Sequence, residues 1–169
     1  MHIDVWADLV CPWCFIGKRR LQRALEEIAN AHFQENDDVT IVHRAFQLNP
    51  SASERSEPTV DHLAAKYGVT REQAFDMMSD VTEVAEGEGL DYHLDRTMTG
   101  NTRDVHRFVL WVQDSFPQLT QPLLADLYSG YFERGERIFT IEDLAPFATR
   151  HDIDERRCVR SWKGAITWM

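Results

Sequence analysis

Hydrophobic positions near the start of the chain follow two different periods. Residues 2–9 alternate and are rich in Ile, Val and Trp, which predicts a β-strand. From about Pro12 to Ala31 the apolar positions move to helical spacing, with Cys14, Gly17, Leu21, Ala24, Leu25 and Ile28 on one stripe. Asn36-Asp37-Asp38 predicts a turn, and Val39 to Leu48 predicts a second strand, apolar on both faces. Such a strand suits burial in a parallel pair joined to the first strand by the helix between them. Asn49 to Pro58 is a polar loop with two prolines and three serines, and the pattern changes after it.

Beyond the loop every signal is helical. Pro58 suits the first turn of a helix ending near Gly68. Thr70-Arg71-Glu72-Gln73 is a capping box, opening a helix that runs to Gly87 or Gly89. Asn101 caps another, with Val105, Phe108, Val109 and Val112 on its apolar stripe. Further helices are expected over about Thr120 to Arg134, from Thr140-Ile141-Glu142-Asp143 to near Arg150, and from Asp154 onward. The fold class is therefore α/β: strand, helix, strand, then a long helical block. A two-stranded parallel sheet is a poor core by itself, so something should complete it.

The 169 residues fit one domain, or one domain with an insertion, and are enough to bury a core without staples. A net charge of -10 argues against binding nucleic acid, whose phosphates an acidic surface repels, and against anionic membrane surfaces. No apolar run approaches a membrane span, and the start Met1-His2-Ile3-Asp4 lacks the features of a signal peptide, so a cytoplasmic location is expected. Three cysteines, Cys11, Cys14 and Cys158, do not describe a secreted disulfide framework. In a reducing compartment a close pair is more often catalytic, redox-sensing or metal-binding.

Cys11 stands where the first strand hands over to the helix, and Pro12 takes the first helical position, where its missing N–H costs nothing. The unpaired N–H groups of that turn, with the helix dipole, favour an anion, here the Cys11 thiolate. Lys18, Arg19 and Arg20 are expected to add positive potential. Cys14 falls on the apolar stripe and should be more buried and less acidic. That asymmetry suits disulfide exchange, with Cys11 attacking and Cys14 resolving the mixed disulfide. Trp13 should face outward beside the thiol. A bare C-x-x-C is only moderately specific. Zinc needs four ligands, and Cys158 has no neighbouring Cys or suitably spaced His pair. Redox chemistry fits best, ahead of zinc, and zinc ahead of two structural cysteines; no metal is expected.

The stretch IDVWADLVCPWCFIGKRRLQRAL resembles the start of DsbA-like proteins of the cytosolic FrnE-like branch. The likeness continues through VTIVHRAFQLNP, HLAAKYGVTREQA, AEGEGLDYHLDRTMTGNTRDVHRFVLW and LADLYSGYFERGERIFTIEDLAPFA. It covers nearly the whole chain to about Trp162, and Cys11-Pro-Trp-Cys14 and Asn101-Thr102…His106-Arg107 are its most specific parts. The resemblance implies a thioredoxin-like core with a large helical insertion between its second and third strands. It also implies disulfide exchange with protein or small-thiol substrates. Glutathione-dependent isomerases and transferases of the same superfamily resemble the chain in fold, but usually carry Ser where Cys11 stands. Glutathione thus enters as an alternative co-substrate, and a catalytically weak binding or assembly module is the third reading. No other cofactor is expected.

On this likeness residues 1–50 form the first half of the core, and residues 51–169 form the insertion and the start of the final helix. The family continues with a Gly-Val-x-Gly-[Val/Thr]-Pro segment whose cis-proline faces the dithiol. Here no proline follows Pro146, so the remaining core strands are expected to be missing. A free edge on the first strand predicts a homodimer through that edge, a repurposed tail or poor solubility. The tail carries Trp162, Ile166 and Trp168, which should pack or aggregate, and Cys158, read as a lone structural or incidental thiol.

The resemblance also places His106 and Arg107 toward the active site, against the plainer reading of a polar helix flank. Asp8 is a candidate proton acceptor for Cys14 during resolution, but a turn-capping or solvent-facing carboxylate is the preferred reading. His43 reads as a hydrogen-bonded core histidine, and Met77 and Met78 as core or groove-lining residues.

Overall fold

The computed structural model describes residues 1–32 and 39–154. The turn at Asn36-Asp37-Asp38, the helix expected after Asp154, Cys158 and the apolar tail lie outside the described residues.

Strand β1 (His2–Ala7) runs into helix α1 (Pro12–His32), which returns the chain to β2 (Thr40–Ala45). β1 and β2 pair in parallel from His2↔Thr40 to Ala7↔Ala45, as a helical crossover requires. Among the described residues no strand lies on the other side of β1. The expected helices are present: α2 (Thr59–Tyr67), α3 (Arg71–Glu86), α4 (Arg103–Ser115), α5 (Thr120–Phe132) and α6 (Ile141–Arg150). Two short strands, β3 (Glu57–Pro58) and β4 (Met98–Thr99), pair antiparallel across the block. Two residues are too few to leave a period in the sequence, so this bridge was not legible there.

The termini follow local chemistry. Thr70 and Thr140 each accept from the N–H three residues on, and Gln73 and Asp143 reach back to the capping residue. Gly68 ends α2 at φ +64, in the left-handed region where glycine carries no Cβ penalty. α4 starts one residue later than Asn101 capping implies, after Thr102, because Asn101 makes a turn instead. Its Oδ1 accepts from the Arg103 N–H at 2.9 Å, and its amide donates to the Pro50 and Ala52 carbonyls. Asn101 thus pins the polar loop to the helical block.

Two expectations about burial are corrected. β2 stops at Ala45, and His43 is its one buried residue. One face of the sheet carries Asp4 and Arg44, paired at 2.7 Å, and Trp6, 62% exposed; that face points to solvent rather than into a core. Along α1, Leu21 and Leu25 are only half-buried and Ile28 is exposed, whereas Phe15 and Ile16 are buried. The first turns of α1 are driven into the helical block, and the later turns stand over an open groove. Met77 and Met78 also divide, since neighbours on a helix point about 100° apart; Met78 is core and Met77 is exposed.

The core is continuous from the β1–α1 junction into the block and is rich in aromatic rings. Phe15 stacks on Tyr128 at 5.1 Å and Tyr92 at 5.9 Å, and Tyr92 on Phe132 at 4.8 Å. Such pairs add ~0.5–1.5 kcal/mol each beyond area burial. The Tyr92 hydroxyl donates to the Pro12 carbonyl at 2.8 Å. Arg20 and Arg23 hold Glu88 at 2.7 and 2.8 Å. Together these contacts fix the first half of α1 against the helical block, and so fix the position of the dithiol.

Candidate active site

Cys11 is the last residue before α1, and its carbonyl accepts from the Cys14 N–H at 3.0 Å and the Phe15 N–H at 3.4 Å. Both cysteines are free and half-buried. Cys11 is lowered to about 7, chiefly because the Cys14 S–H donates to it; burial opposes this, and the N–H groups of Cys14 and Trp13 reinforce it. Cys14 is pushed far up, first because its proton is committed to Cys11 and then by burial. The expected asymmetry in acidity is therefore present, although the two residues are similarly exposed. Pro12 sits at the first helical position, and Trp13 is 53% exposed beside the thiol.

The expected contribution of the basic residues is not found. Lys18 donates to Gln121 Oε1 at 3.0 Å, in a setting where burial lowers its own basicity. The Arg19 side chain turns to the Glu88 carbonyl, and Arg20 to the Glu88 carboxylate. The helix terminus and the partner thiol favour the Cys11 anion, whereas these side chains serve packing between elements.

Asp8 is neither solvent-facing nor a simple turn cap: it is 1% exposed. Its Oδ1 accepts from the Leu9 N–H at 2.9 Å and lies 3.1 Å from His106 Nε2; its Oδ2 accepts from the Leu48 N–H at 2.8 Å. His106 is buried against it and is no surface flank. Arg107, one position further round α4, pairs with Asp104 at 3.5 Å. The structure thus joins Cys11, Cys14, Asp8 and His106 around the β1–α1 junction and leaves Arg107 beside Asp104.

Of three further neighbours, His43 was read in the sequence as core, and Tyr128 and Tyr92 went unread. The His43 ring stacks on His106 at 5.8 Å, and its buried Nε2 has no hydrogen-bond partner among the described residues. Burial lowers His43 to about 4, so it is a neutral core residue as expected, hydrogen-bonded to the Gln113 amide through its main-chain N–H and carbonyl rather than through ring Nε2. Tyr128 donates to the Asp8 carbonyl at 3.3 Å, and Tyr92 holds Pro12. In sequence both tyrosines read as core aromatics, and nothing in their spacing marks the contact with the junction. A groove of about 540 Å³ opens under α1, lined by Cys14, Lys18, Leu21, Ile41, His43 and Tyr128 among others. Among the described residues no group of three or more His, Cys, Asp or Glu is placed to hold a metal ion, and no helix is long and apolar enough to cross a membrane.

Comparison with known proteins identifies the family and the fold. The sequence model of the DSBA-like thioredoxin domain matches residues 2–165. A solved structure from Streptomyces coelicolor, provisionally assigned as a DsbA oxidoreductase, superposes with a TM-score of 0.82 at 31% identity, over 98% of this chain and 68% of that one. A Nitrosomonas europaea structure, provisionally assigned as a protein disulfide isomerase, shares the fold at a TM-score of 0.62 and 16% identity, over 92% and 67% of the two chains. The uncharacterized protein YwbO of Bacillus subtilis is 34% identical over 61 residues, which is 36% of this chain and 26% of that protein. The aligned part thus spans about a quarter of that relative's length.

Proposed function

The chain belongs to the DSBA-like thioredoxin domain family, and from that membership we propose that it exchanges disulfides with protein or small-thiol substrates through Cys11 and Cys14. The Cys11 thiolate attacks a substrate disulfide; one new S–S bond forms, and one substrate sulfur leaves as a thiol after taking a proton. Cys14 then gives up its proton and attacks the Cys11 sulfur, closing the Cys11–Cys14 disulfide and releasing the second substrate thiol. The substrate is reduced by two electrons and the dithiol oxidised by two; run backward, the same steps oxidise a substrate dithiol. The observation that carries this reading is the placement of the two thiols: Cys11 stands directly before α1 and Cys14 in its first turn, the Cys14 N–H donating to the Cys11 carbonyl at 3.0 Å, a setting that lowers Cys11 and raises Cys14. A thiol poised near ambient pH is close to the optimum for attack. Trp13, exposed beside Cys11, offers an aromatic surface on which a substrate's apolar side chain can rest. The reading is tested by a disulfide-reduction assay on Cys11→Ser, with thiol trapping of the mixed disulfide on Cys14→Ser. Turnover should vanish in the first and a trapped adduct should accumulate in the second; undiminished turnover without Cys11 rejects the assignment.

A further inference from the structure

The groove under α1 holds a cation with no adjacent counter-charge. Its walls are apolar, with Leu21 and Leu25 from α1, Val5 and Ile41 from the sheet, and Leu124 and Ala125 from α5. Lys18 is half-buried in the same wall. Among the described residues its ammonium has one hydrogen-bond partner, the neutral Gln121 side chain, and no carboxylate within ion-pairing distance. Burial lowers its basicity, and no neighbouring anion offsets that. Withdrawing a cation from water without a counter-charge is unfavourable, so an anion that entered here would relieve a cost the fold already carries.

Lys18 and Gln121 also form a donor pair. Gln121 Oε1 accepts from Lys18 Nζ at 3.0 Å, which turns the amide nitrogen away from the ammonium. That nitrogen keeps two N–H groups without a partner among the described residues, and the ammonium keeps two of its three. Both nitrogens adjoin the same oxygen, and a carboxylate has two oxygens with which to accept from them.

The rest of the groove restricts what such an anion carries. His43 in the floor is kept uncharged by burial, and the Tyr128 hydroxyl is already given to the Asp8 carbonyl. Glu26 stands at the exposed rim, where its carboxylate accepts from the Gln22 amide at 3.0 Å. It lies ~12 Å further along α1 than Lys18, about the reach of an extended ten-carbon chain. A second anionic group at that end would meet Glu26, whereas an apolar chain would lie along Leu21 and Leu25. The volume of about 540 Å³ is within the range of small-molecule sites, ~300–1,000 Å³. We propose that this groove binds an aliphatic monocarboxylate, its head on Lys18 and Gln121 and its chain along Leu21, Leu25 and Ile41. The groove borders Cys14, but the binding needs neither thiol, so it stands apart from the exchange reading.

The test is calorimetric titration of the full chain at neutral pH with decanoate, and with decanol and decanedioate as companions. Decanoate should fill a single saturable site per chain. Decanol has the same chain without the charge, and it should bind about tenfold more weakly, the worth of one charge-assisted hydrogen bond. Decanedioate should also bind more weakly than decanoate, because its second head meets Glu26. Lys18→Met keeps the apolar stem and removes the ammonium, and it should cost decanoate about the same tenfold while leaving decanol unchanged. Equal affinity for decanoate and decanol overturns the proposal, as does undiminished decanoate binding in Lys18→Met. Decanedioate binding as tightly as decanoate overturns the placement of the chain toward Glu26. The comparison of the three ligands needs no variant, so it decides even if Lys18→Met fails to fold. If a second copy or another segment of this chain fills the groove, decanoate finds no saturable site, and that result also overturns the proposal.

Discussion

Replacing Cys14 by alanine removes the largest single contribution to the Cys11 anion, the S–H that Cys14 donates to it. A hydrogen bond to a charged group is worth ~1.5–3 kcal/mol, and a thiol is a weak donor, so the lower end applies. At about 1.4 kcal/mol per pH unit, the Cys11 midpoint should rise by about one unit, from about 7. The rise should stop there, because the backbone N–H groups at positions 13 and 14 remain. The thiolate fraction at pH 7 then falls from about one half to roughly a tenth. Reactivity falls less, since a more basic thiolate is roughly threefold more nucleophilic per unit for a Brønsted slope near ~0.45. The net loss in alkylation rate at pH 7 should be only about twofold, with a gain well above pH 8. Thiolate absorbance against pH gives the midpoint, and the pH profile of iodoacetamide alkylation gives the rate. A midpoint in Cys14→Ala within a few tenths of the unaltered protein would assign the anion wholly to the helix terminus and refute the shared-proton argument.

Other consequences concern the frame. His43, ordinarily near 6.5, is lowered to about 4 in the fold, so between those values the unfolded chain binds the extra proton and stability falls as the pH falls. The loss should reach on the order of 3 kcal/mol by pH 4, and His43→Gln should flatten that part of the pH–stability curve; an unchanged slope would place the acid sensitivity elsewhere. A Cβ at Gly130 would lie 2.6 Å from the Phe147 ring and 2.8 Å from Glu136 Oε2. Gly130→Ala should therefore cost ~1–3 kcal/mol in urea unfolding, and a neutral result would mean that the α5–α6 contact yields easily. Thr140→Ala removes a cap whose hydroxyl accepts from the Asp143 N–H at 3.2 Å. It should cost ~0.5–2 kcal/mol by the same measurement with the dithiol titration unmoved.

Local signals in the sequence were enough for the helical block, the parallel strand pair and the position of the dithiol. The capping box at Thr70, the helix start at Thr140 and the helix end at Gly68 are set by neighbours within a few residues, and all three appear where they were read. Cys11 before Pro12 likewise predicts a thiol at a helix N-terminus, because strand, proline and helix are contiguous. Burial was not local. Ile28 continues the apolar stripe of α1 yet is exposed, since whether a stripe is covered depends on elements far away in the chain. Asp8, read as an exposed or turn-capping carboxylate, is enclosed because α4 brings His106 and the segment after β2 brings the Leu48 N–H; nothing near position 8 announces either. The basic run after Cys14 looked like support for a thiolate until Glu88, on the far side of α3, drew Arg19 and Arg20 away. The sequence by itself determined which sulfur starts the helix. The tertiary structure decided which charges surround it, because a field is set by distances across the fold and the chain order does not record them.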